Sequence, residues 1–368
     1  MSEKRLDYLD MAKGIGIFLV VLGHIEFIQE STLRFIFSFH MPLFFVIGGM
    51  LGFLTKEQEK SVLDVLRKKA QGILLPYASF SLILLTMAVT GYLVNPDGVP
   101  GETLARQFID SFTGYGLHTL WFLPAYFLAN TSFYLLNRYQ KPIWRNVTIL
   151  ALAALALGVS KGFGLKEYVT WDCSLAGFAG WNLLIVFLRA ILAQPFLLLG
   201  WYLAKELPKL PKGVQRSLPL LLFLGSLLAG KLPIFDLHYL YVEPLHYLSA
   251  ALSCTGLLCL VRMLPKSLVL SWLGRNSLII MCTHASLYVI YYVSLGMFFI
   301  RKFVPMTEPV FNISVAVWVC IAEIPIVWIF HRYFRHLLGR KKQNPKSKAA
   351  ACSLRMEVEN DENGNFGS

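Results

Sequence analysis

Long apolar stretches alternate with short polar segments along the chain, a pattern that predicts membrane-spanning helices. A helix needs about 20 mostly apolar residues to cross a hydrocarbon core about 30 Å thick. Ten segments fit this pattern, the fifth and seventh being the shortest: residues 13–30, 34–54, 72–94, 117–137, 143–159, 182–204, 216–230, 245–263, 276–300 and 309–331. The prediction is an all-α, polytopic membrane protein with about ten transmembrane helices.

The basic residues set the predicted orientation of these helices. If the N-terminus is cytoplasmic and residues at the span edges are counted with the adjoining loops, 26 of the 34 lysines and arginines are cytoplasmic and seven are in outer loops. The remaining one, Arg189, lies inside the sixth span. Cytoplasmic loops are enriched in lysine and arginine, so both termini are predicted to be cytoplasmic. The net charge of +12 is spread between apolar segments instead of being clustered on one surface, which argues against a nucleic-acid partner.

Composition predicts one membrane domain followed by a short tail. Hydrophobic residues make up 56% of the chain and charged residues 15%, well below the roughly 25% typical of soluble domains. Residues 1–335 are predicted to form the transmembrane domain. Residues 336–368 are predicted to be a disordered cytoplasmic tail, whose basic part GRKKQNPKSK contacts anionic membrane lipids and whose end is acidic. The six cysteines form no CxxC pair and predict neither a disulfide framework nor a zinc site.

The first predicted span carries two ionisable residues on one face. Lys13 and His24 are eleven residues apart, which is within about 20° of three full helical turns and about 16 Å along the axis. Asp10 falls on the same stripe within about 40°. With the cation at the cytoplasmic edge and the imidazole past mid-membrane, a long ligand held by Lys13 would reach His24. Taken alone, Lys13 also fits a snorkelling anchor and His24 a packed core histidine, although ionisable residues in spans usually have a function.

A second histidine is predicted near the depth of His24. His40 lies about 10 Å below the outer edge of the second span, within FIFSFHMPLFFVIGG. Pro42 cannot donate a backbone hydrogen bond and frees the carbonyl of Ser38, so a bend is expected beside His40. Bent spans are tolerated where they line a polar cavity, although a kink without a ligand fits the same residues.

The ninth span, GRNSLIIMCTHASLYV, brings a third histidine to the same band. His284 lies about 13 Å from Arg275, and Ser277 shares its face. Asn276 or Ser277 also suits a helix N-cap. Three histidines from three spans predict an active cavity. Their spacings match no metal-binding motif, so no metal is predicted.

Other candidate residues lie near this band. His118 and Trp121 open the fourth span, LHTLWFLPAYF, near the outer rim, where a tryptophan serves either as an aromatic-belt anchor or as a stacking platform for a sugar ring. Arg189 lies in the sixth span without an obvious partner, and Glu323 lies in the tenth. Charged residues within spans are candidate functional residues.

Four sequence blocks, in this order, resemble the acyltransferase 3 family of integral-membrane O-acyltransferases: RLDYLDMAKGIGIFLVVLGH, FSFHMPLFFVIGG, LWFLPA at 120–125 and LGRNSLIIMCTH at 273–284. The resemblance runs from about residue 3 to 335. The family places a basic residue eleven positions before a histidine, which Lys13 and His24 match. The family residue is often arginine, and lysine keeps the charge but lacks the planar fork of arginine. The short chain is most similar to the fucose 4-O-acetylase-related subgroup.

This resemblance implies an enzyme of the cytoplasmic (inner) membrane that moves an acyl group, usually acetyl, from cytoplasmic acyl-CoA to a hydroxyl of an extracytoplasmic glycan or lipid-linked saccharide. Acyl-CoA is then a substrate, and no permanently bound cofactor is expected. The expected roles are catalysis by His24, His40 and His284, donor binding by Lys13, Asp10, Arg275 and Ser277, and acceptor binding by Trp121, His118 and Arg189. A neutral imidazole acts either as general base on the acceptor hydroxyl or as the first acyl acceptor, and both routes stay open. Homo-oligomerisation also stays open.

Two other classes of protein compete with this interpretation. A secondary transporter or glycan exporter would use the histidines as a proton relay, and it predicts acidic residues deep in several spans, where only Glu323 is deep. A structural membrane partner in a polysaccharide-assembly complex would not require the histidines. The acyltransferase is the favoured hypothesis.

Overall fold

The computed structural model describes residues 4–26, 28–95, 100–165 and 173–339, and it is built almost entirely from helices. The α-helices are α1 Lys4–Gly23, α2 Glu30–Leu54, α3 Val62–Lys69, α4 Leu75–Val94, α5 Gly101–Thr113, α6 Phe122–Tyr139, α7 Pro142–Gly162, α8 Leu175–Glu206, α9 Lys212–Ser217, α10 Leu220–Ala229, α11 Pro244–Met263, α12 Leu268–Thr283, α13 Val289–Arg301 and α14 Glu308–Tyr333. A π-helical turn, Ala70–Leu74, joins α3 to α4. Short 3-10 helices include His118–Trp121 and Arg335–Leu338.

Several of these helices are long and apolar enough to cross a membrane, so the protein is a multi-pass membrane protein. Within the described ranges six segments meet this requirement: Glu30–Leu54, Val62–Val94, Pro142–Gly162, Leu175–Lys209, Pro244–Met263 and Glu308–Tyr333. Three shorter apolar helices, α10, α12 and α13, accompany them. The all-α prediction is confirmed, whereas the count of ten spans and the side of the termini stay predictions.

The first and ninth predicted spans differ from the helices that form. Helix α1 begins at Lys4 instead of residue 13 and ends at Gly23, so His24 follows the helix instead of lying inside it. The ninth span is not one helix over 276–300. Helix α12 begins at Leu268, because Ser267 caps it by accepting a hydrogen bond from the Leu270 amide (3.3 Å), and it ends at Thr283.

Helix α12 ends in a tight turn that begins at His284. The amide of Ile290 donates to the carbonyl of His284 (2.9 Å), and Tyr288 adopts a left-handed conformation with φ 58°. A left-handed non-glycine residue is uncommon and marks a conformation imposed by its surroundings. Because α12 starts well upstream, the N-cap interpretation of Asn276 and Ser277 is wrong: both lie in mid-helix.

Glycines let two pairs of helices approach closely. A Cβ added to Gly274 of α12 would overlap the carbonyl of Asp10 on α1, and one added to Gly14 of α1 would overlap the carbonyl of Leu270. Gly49 of α2 and Gly200 of α8 lie equally close to the backbone of the opposite helix, since a Cβ added to either would overlap a carbonyl there. Small residues at helix crossings are the usual means of bringing membrane helices into backbone contact. The α1–α12 contact places the end of α1 beside the end of α12.

The described chain ends on an ordered turn. Residues Arg335–Leu338 form a 3-10 helix in which Leu338 is buried, so the first residues of the predicted tail pack on the helices. Gly339 lies so close to the Gln71 carbonyl that an added Cβ would overlap it. The remaining tail prediction, for residues 340–368, lies outside the described residues.

Candidate active site

The three histidines predicted from the spans come together. The rings of His24 and His284 meet edge to face with their centroids 5.0 Å apart. His24 and His40 line one cavity of about 300 Å³, which we call the histidine cavity; His118, Trp121 and His238 line it as well. His24 is exposed to this space, whereas His40 and His284 are buried, at 3% and 0% exposure. His24 is therefore the accessible imidazole of the cluster.

All three imidazoles are oriented in the same way. In each, Nδ1 lies within hydrogen-bonding distance of the backbone carbonyl four residues earlier: His24 with Val20 (2.8 Å), His40 with Ile36 (2.8 Å) and His284 with Ile280 (2.7 Å). Because a carbonyl can only accept, Nδ1 carries the hydrogen and a neutral ring keeps its lone pair on Nε2. The Nε2 atom of His284 is buried and has no hydrogen-bond partner in the described chain. Each of the three clustered imidazoles thus keeps a basic Nε2 atom.

Among the described residues, no three His, Cys, Asp or Glu side chains are arranged to hold a metal ion. A carboxylate does approach the cluster from α14. Glu323 is fully buried and accepts a hydrogen bond from the Thr283 hydroxyl (2.7 Å), directly before His284 in the chain. The span pattern alone does not match the depth of Glu323 with that of the histidines, because it does not show that α12 ends at Thr283.

The wall containing His118 and Trp121 is a strained turn held against α12. Gly116 has φ 86°, and a Cβ there would overlap the Trp121 amide, while His118 has φ 48°. The Thr119 hydroxyl donates to the Met281 carbonyl (2.7 Å). Ordered residues with positive φ tend to occur at functional sites. The predicted acceptor residues His118 and Trp121 share the histidine cavity with His24 and His40. Trp121 itself is only 9% exposed.

One further element of the cavity was not predicted from the sequence. The 231–243 segment, between α10 and α11, inserts Asp236 and His238 into the cavity wall. The His238 ring stacks on Trp121, with centroids 5.1 Å apart and planes 15° apart. One face of Trp121 is thus occupied by an imidazole. The sequence does carry a signal here, since PIFDLHYLY places an Asp-x-His triplet among aromatic residues.

Arg189 lies behind this wall and is not among the residues that line the cavity. It is fully buried, and its guanidinium donates to the carbonyls of His238 (2.9 and 2.7 Å) and Tyr115 (3.0 Å). It also packs over the rings of Tyr115 and Trp121. The guanidinium thus holds protein backbone at this position, and its predicted contact with substrate stays a prediction.

The predicted donor residues lie on the two helices that cross at Gly14 and Gly274. Lys13 and Asp10 form an ion pair on α1 (2.6 Å), each side chain about one quarter exposed. Arg275 on α12 is exposed and lines a second cavity, of about 290 Å³, together with Lys68 of α3. Ser277 is half-buried. The structure places these four residues on adjoining helices, although Lys13 is not among the residues that line the cavity of Arg275.

Comparison with known proteins agrees with this architecture. The family model described as an acyltransferase domain matches residues 6–332. No curated protein and no solved structure shows a match to the chain. The family match spans the histidine cavity and nearly all the helices that build it. This multi-pass membrane protein therefore belongs to the acyltransferase 3 family and is an acyltransferase.

Proposed function

We propose that the protein is an O-acyltransferase, specifically an O-acetyltransferase of the fucose 4-O-acetylase-related subgroup. It would transfer the acetyl group of cytoplasmic acetyl-CoA to a hydroxyl of an extracytoplasmic glycan or lipid-linked saccharide. The observation that carries the proposal is the cluster of three imidazoles, each with Nε2 free, at a cavity that exposes His24. An unprotonated Nε2 is the group that general-base and nucleophilic acyl transfer both require.

In the direct route, His24 accepts the proton of the acceptor hydroxyl as that oxygen attacks the thioester carbonyl. The carbon–sulfur bond breaks, and the CoA thiolate takes a proton from the imidazolium. In the alternative route, Nε2 of His24 attacks the thioester carbonyl, and the carbon–sulfur bond breaks to release the CoA thiolate. The acceptor oxygen then attacks the acetyl carbon, the bond between that carbon and Nε2 breaks, and the hydroxyl proton passes to the CoA thiolate. His284, in ring contact with His24, is placed to exchange a proton with it in either route.

The proposed donor site lies near the middle of α1, on the side of the membrane away from His24. Lys13 lies about 16 Å from His24 along the helix axis, a distance suited to a ligand with a charged end and an extended arm. Phosphates form strong charge-assisted contacts with lysine and arginine, so we assign the CoA phosphates to Lys13 and Arg275. Asp10 holds the Lys13 ammonium in place, and Ser277 lies farther along α12 toward His284. Another cavity beside His24, of about 230 Å³ and lined by Leu295 and Phe298 as well as by Glu26, offers room for the acyl group.

We place the protein in the cytoplasmic membrane, with both termini and the donor site on the cytoplasmic side. This orientation follows from the excess of basic residues in the predicted cytoplasmic segments. His118 and Trp121 would then bind the acceptor at the outer end of the cavity.

A labelling experiment tests this function against the transporter alternative. Membranes containing the protein are incubated with acetyl-CoA labelled in the acetyl group and with total surface glycan. Label should enter the glycan as an alkali-labile ester, in amounts that depend on the protein. Glycan that stays unlabelled, together with protein-dependent proton flux across vesicles, would favour the transporter.

The donor assignment predicts a binding defect for Lys13→Ala. Loss of one charge-assisted contact is worth about 1.5–3 kcal/mol, so acyl-CoA binding should weaken roughly ten- to hundredfold. Lys13→Arg should restore most of the affinity because it keeps the charge. The measurement is equilibrium binding of labelled acetyl-CoA to the purified protein.

Lys266 provides a matched control for this measurement. It also forms an ion pair with an aspartate of α1, Asp7 (2.7 Å), but its side chain is half exposed. Lys266→Ala should leave donor affinity unchanged. Equal losses in Lys13→Ala and Lys266→Ala would show that general surface charge, and not a specific phosphate site, governs binding.

A further inference from the structure

The 231–243 segment is folded so that one residue is held in a fixed place. Asp236 and Tyr241 exchange two backbone hydrogen bonds (3.0 and 2.7 Å), closing a short loop. Phe235, Leu237 and Leu240 are buried in the core on either side, and Leu240 adopts a left-handed conformation with φ 58°. These three buried side chains and the left-handed residue hold the loop in one conformation, so it forms a fixed part of the wall of the histidine cavity.

His238, at the tip of this loop, is held through both of its backbone polar groups. Its amide donates to the Asp236 carboxylate (2.8 Å), and its carbonyl accepts two hydrogen bonds from Arg189 (2.9 and 2.7 Å). A fully buried arginine is costly unless its donors are satisfied. Here Arg189 donates two hydrogen bonds to the carbonyl of one loop residue, His238. These bonds fix the position of the His238 side chain.

The His238 imidazole faces the same cavity as His24 and His40. Stacking on Trp121 fixes the plane of the ring. Its Nε2 atom is buried and has no hydrogen-bond partner among the described residues. Burial and the nearby Arg189 guanidinium hold the pKa of His238 well below its usual range, so the ring is neutral near pH 7. A neutral imidazole both donates and accepts hydrogen bonds, which suits a hydroxyl.

The charges around the cavity discriminate between classes of acceptor. In the part of the chain that the structure describes, the lining residues include no lysine or arginine, and Asp236 is the carboxylate among them. Burial raises the pKa of Asp236 to about 6, so it is largely ionised at pH 7. A uronic or sialic acid would bring its own carboxylate toward Asp236 without a cation to pair with it. The volume of about 300 Å³ is at the small end of ligand pockets, about 300–1,000 Å³.

We propose that His238 hydrogen-bonds a hydroxyl of the acceptor, with Arg189 and Asp236 as positioning residues, and that the acceptor unit held in this cavity is a single uncharged sugar. The inference rests on the proposed acyltransfer to a glycan and specifies its acceptor site. Trp121 supports the His238 ring on one face.

The first test separates acceptor binding from donor chemistry. His238→Ala should raise the KM for glycan about tenfold, the loss expected for one hydrogen bond in a closed site, while acetyl-CoA binding stays unchanged. His238→Gln, which can still hydrogen-bond, should recover part of this loss. Lys231→Ala, at an exposed position of the same segment, should behave as wild type. Unchanged acceptor KM in His238→Ala would overturn the proposal, and unchanged donor binding shows that the variant is folded.

The second test addresses the charge of the acceptor. Surface glycan labelled by the wild-type protein is digested with glycosidases, and the products are separated by anion exchange into neutral and acidic sugar units. Label on neutral units supports the proposal, and label on acidic units overturns it. If the wild-type protein labels neither, the proposed function itself has failed, which distinguishes that failure from an error in the acceptor assignment.

Discussion

Replacing His24 with glutamine is expected to abolish acyl transfer while acetyl-CoA still binds. Of the clustered imidazoles, His24 is the one exposed to the cavity, and its Nδ1 contact with the Val20 carbonyl leaves Nε2 as the base. Glutamine can keep a hydrogen bond to that carbonyl, but it has no basic nitrogen at the reacting position. Removal of a general base costs about 10²–10⁴-fold in rate, and loss of a nucleophile costs more.

The measurement is single-turnover transfer of labelled acetyl to glycan, with acetyl-CoA binding recorded on the same preparations. His336→Gln serves as the control, because His336 is an exposed histidine on the 3-10 helix at Arg335–Leu338. Its activity should match wild type. Transfer by His24→Gln within tenfold of wild type, at normal protein yield, would remove His24 from the chemistry and leave it as a packing residue.

The helical parts of this site were predictable because helix geometry is periodic. The eleven-residue spacing of Lys13 and His24 and the depths of His40 and His284 follow from rise and rotation per residue. The structure accordingly brings His24, His40 and His284 into one region. What the periodicity could not show was where α1 and α12 end. HASLY contains neither glycine nor proline, and the break is stabilised by contacts distant in sequence, such as the hydroxyl pair of Thr119 and Ser286 (3.1 Å).

The 231–243 segment shows a second limit of sequence reasoning. Its residues follow neither a helical nor a strand period, so the sequence pattern indicates only a connection between two spans. No partner for Arg189 is obvious from the sequence, because its partners are the backbone carbonyls of His238 and Tyr115, which no side-chain pattern reveals. An arginine inside a span correctly indicated that its guanidinium has buried polar partners. Which groups those are depends on the fold.

The second large effect is expected at a residue that touches no substrate. Gly274→Ala should destabilise the protein and reduce transfer at least a hundredfold in whatever fraction folds. The added Cβ would overlap the carbonyl of Asp10, a backbone atom that moves only if α1 and α12 separate. Overpacking a tight contact costs about 1–3 kcal/mol. Separation would also pull His24 away from His284, whose rings now meet at 5.0 Å, and misplacement by about 1 Å can cost about 10²-fold in rate.

Gly296→Ala is the matched control for this prediction, since it makes the same chemical change in another helix, α13. No heavy atom lies within 4 Å of a Cβ placed there. Alanine is favoured over glycine in a helix by about 0.5–1 kcal/mol, so this variant should be as stable as wild type or slightly more stable. Thermal unfolding and single-turnover transfer are measured on both variants in the same detergent. A Gly274→Ala protein with wild-type melting temperature and activity would show that the α1–α12 crossing is not what holds His24 beside His284.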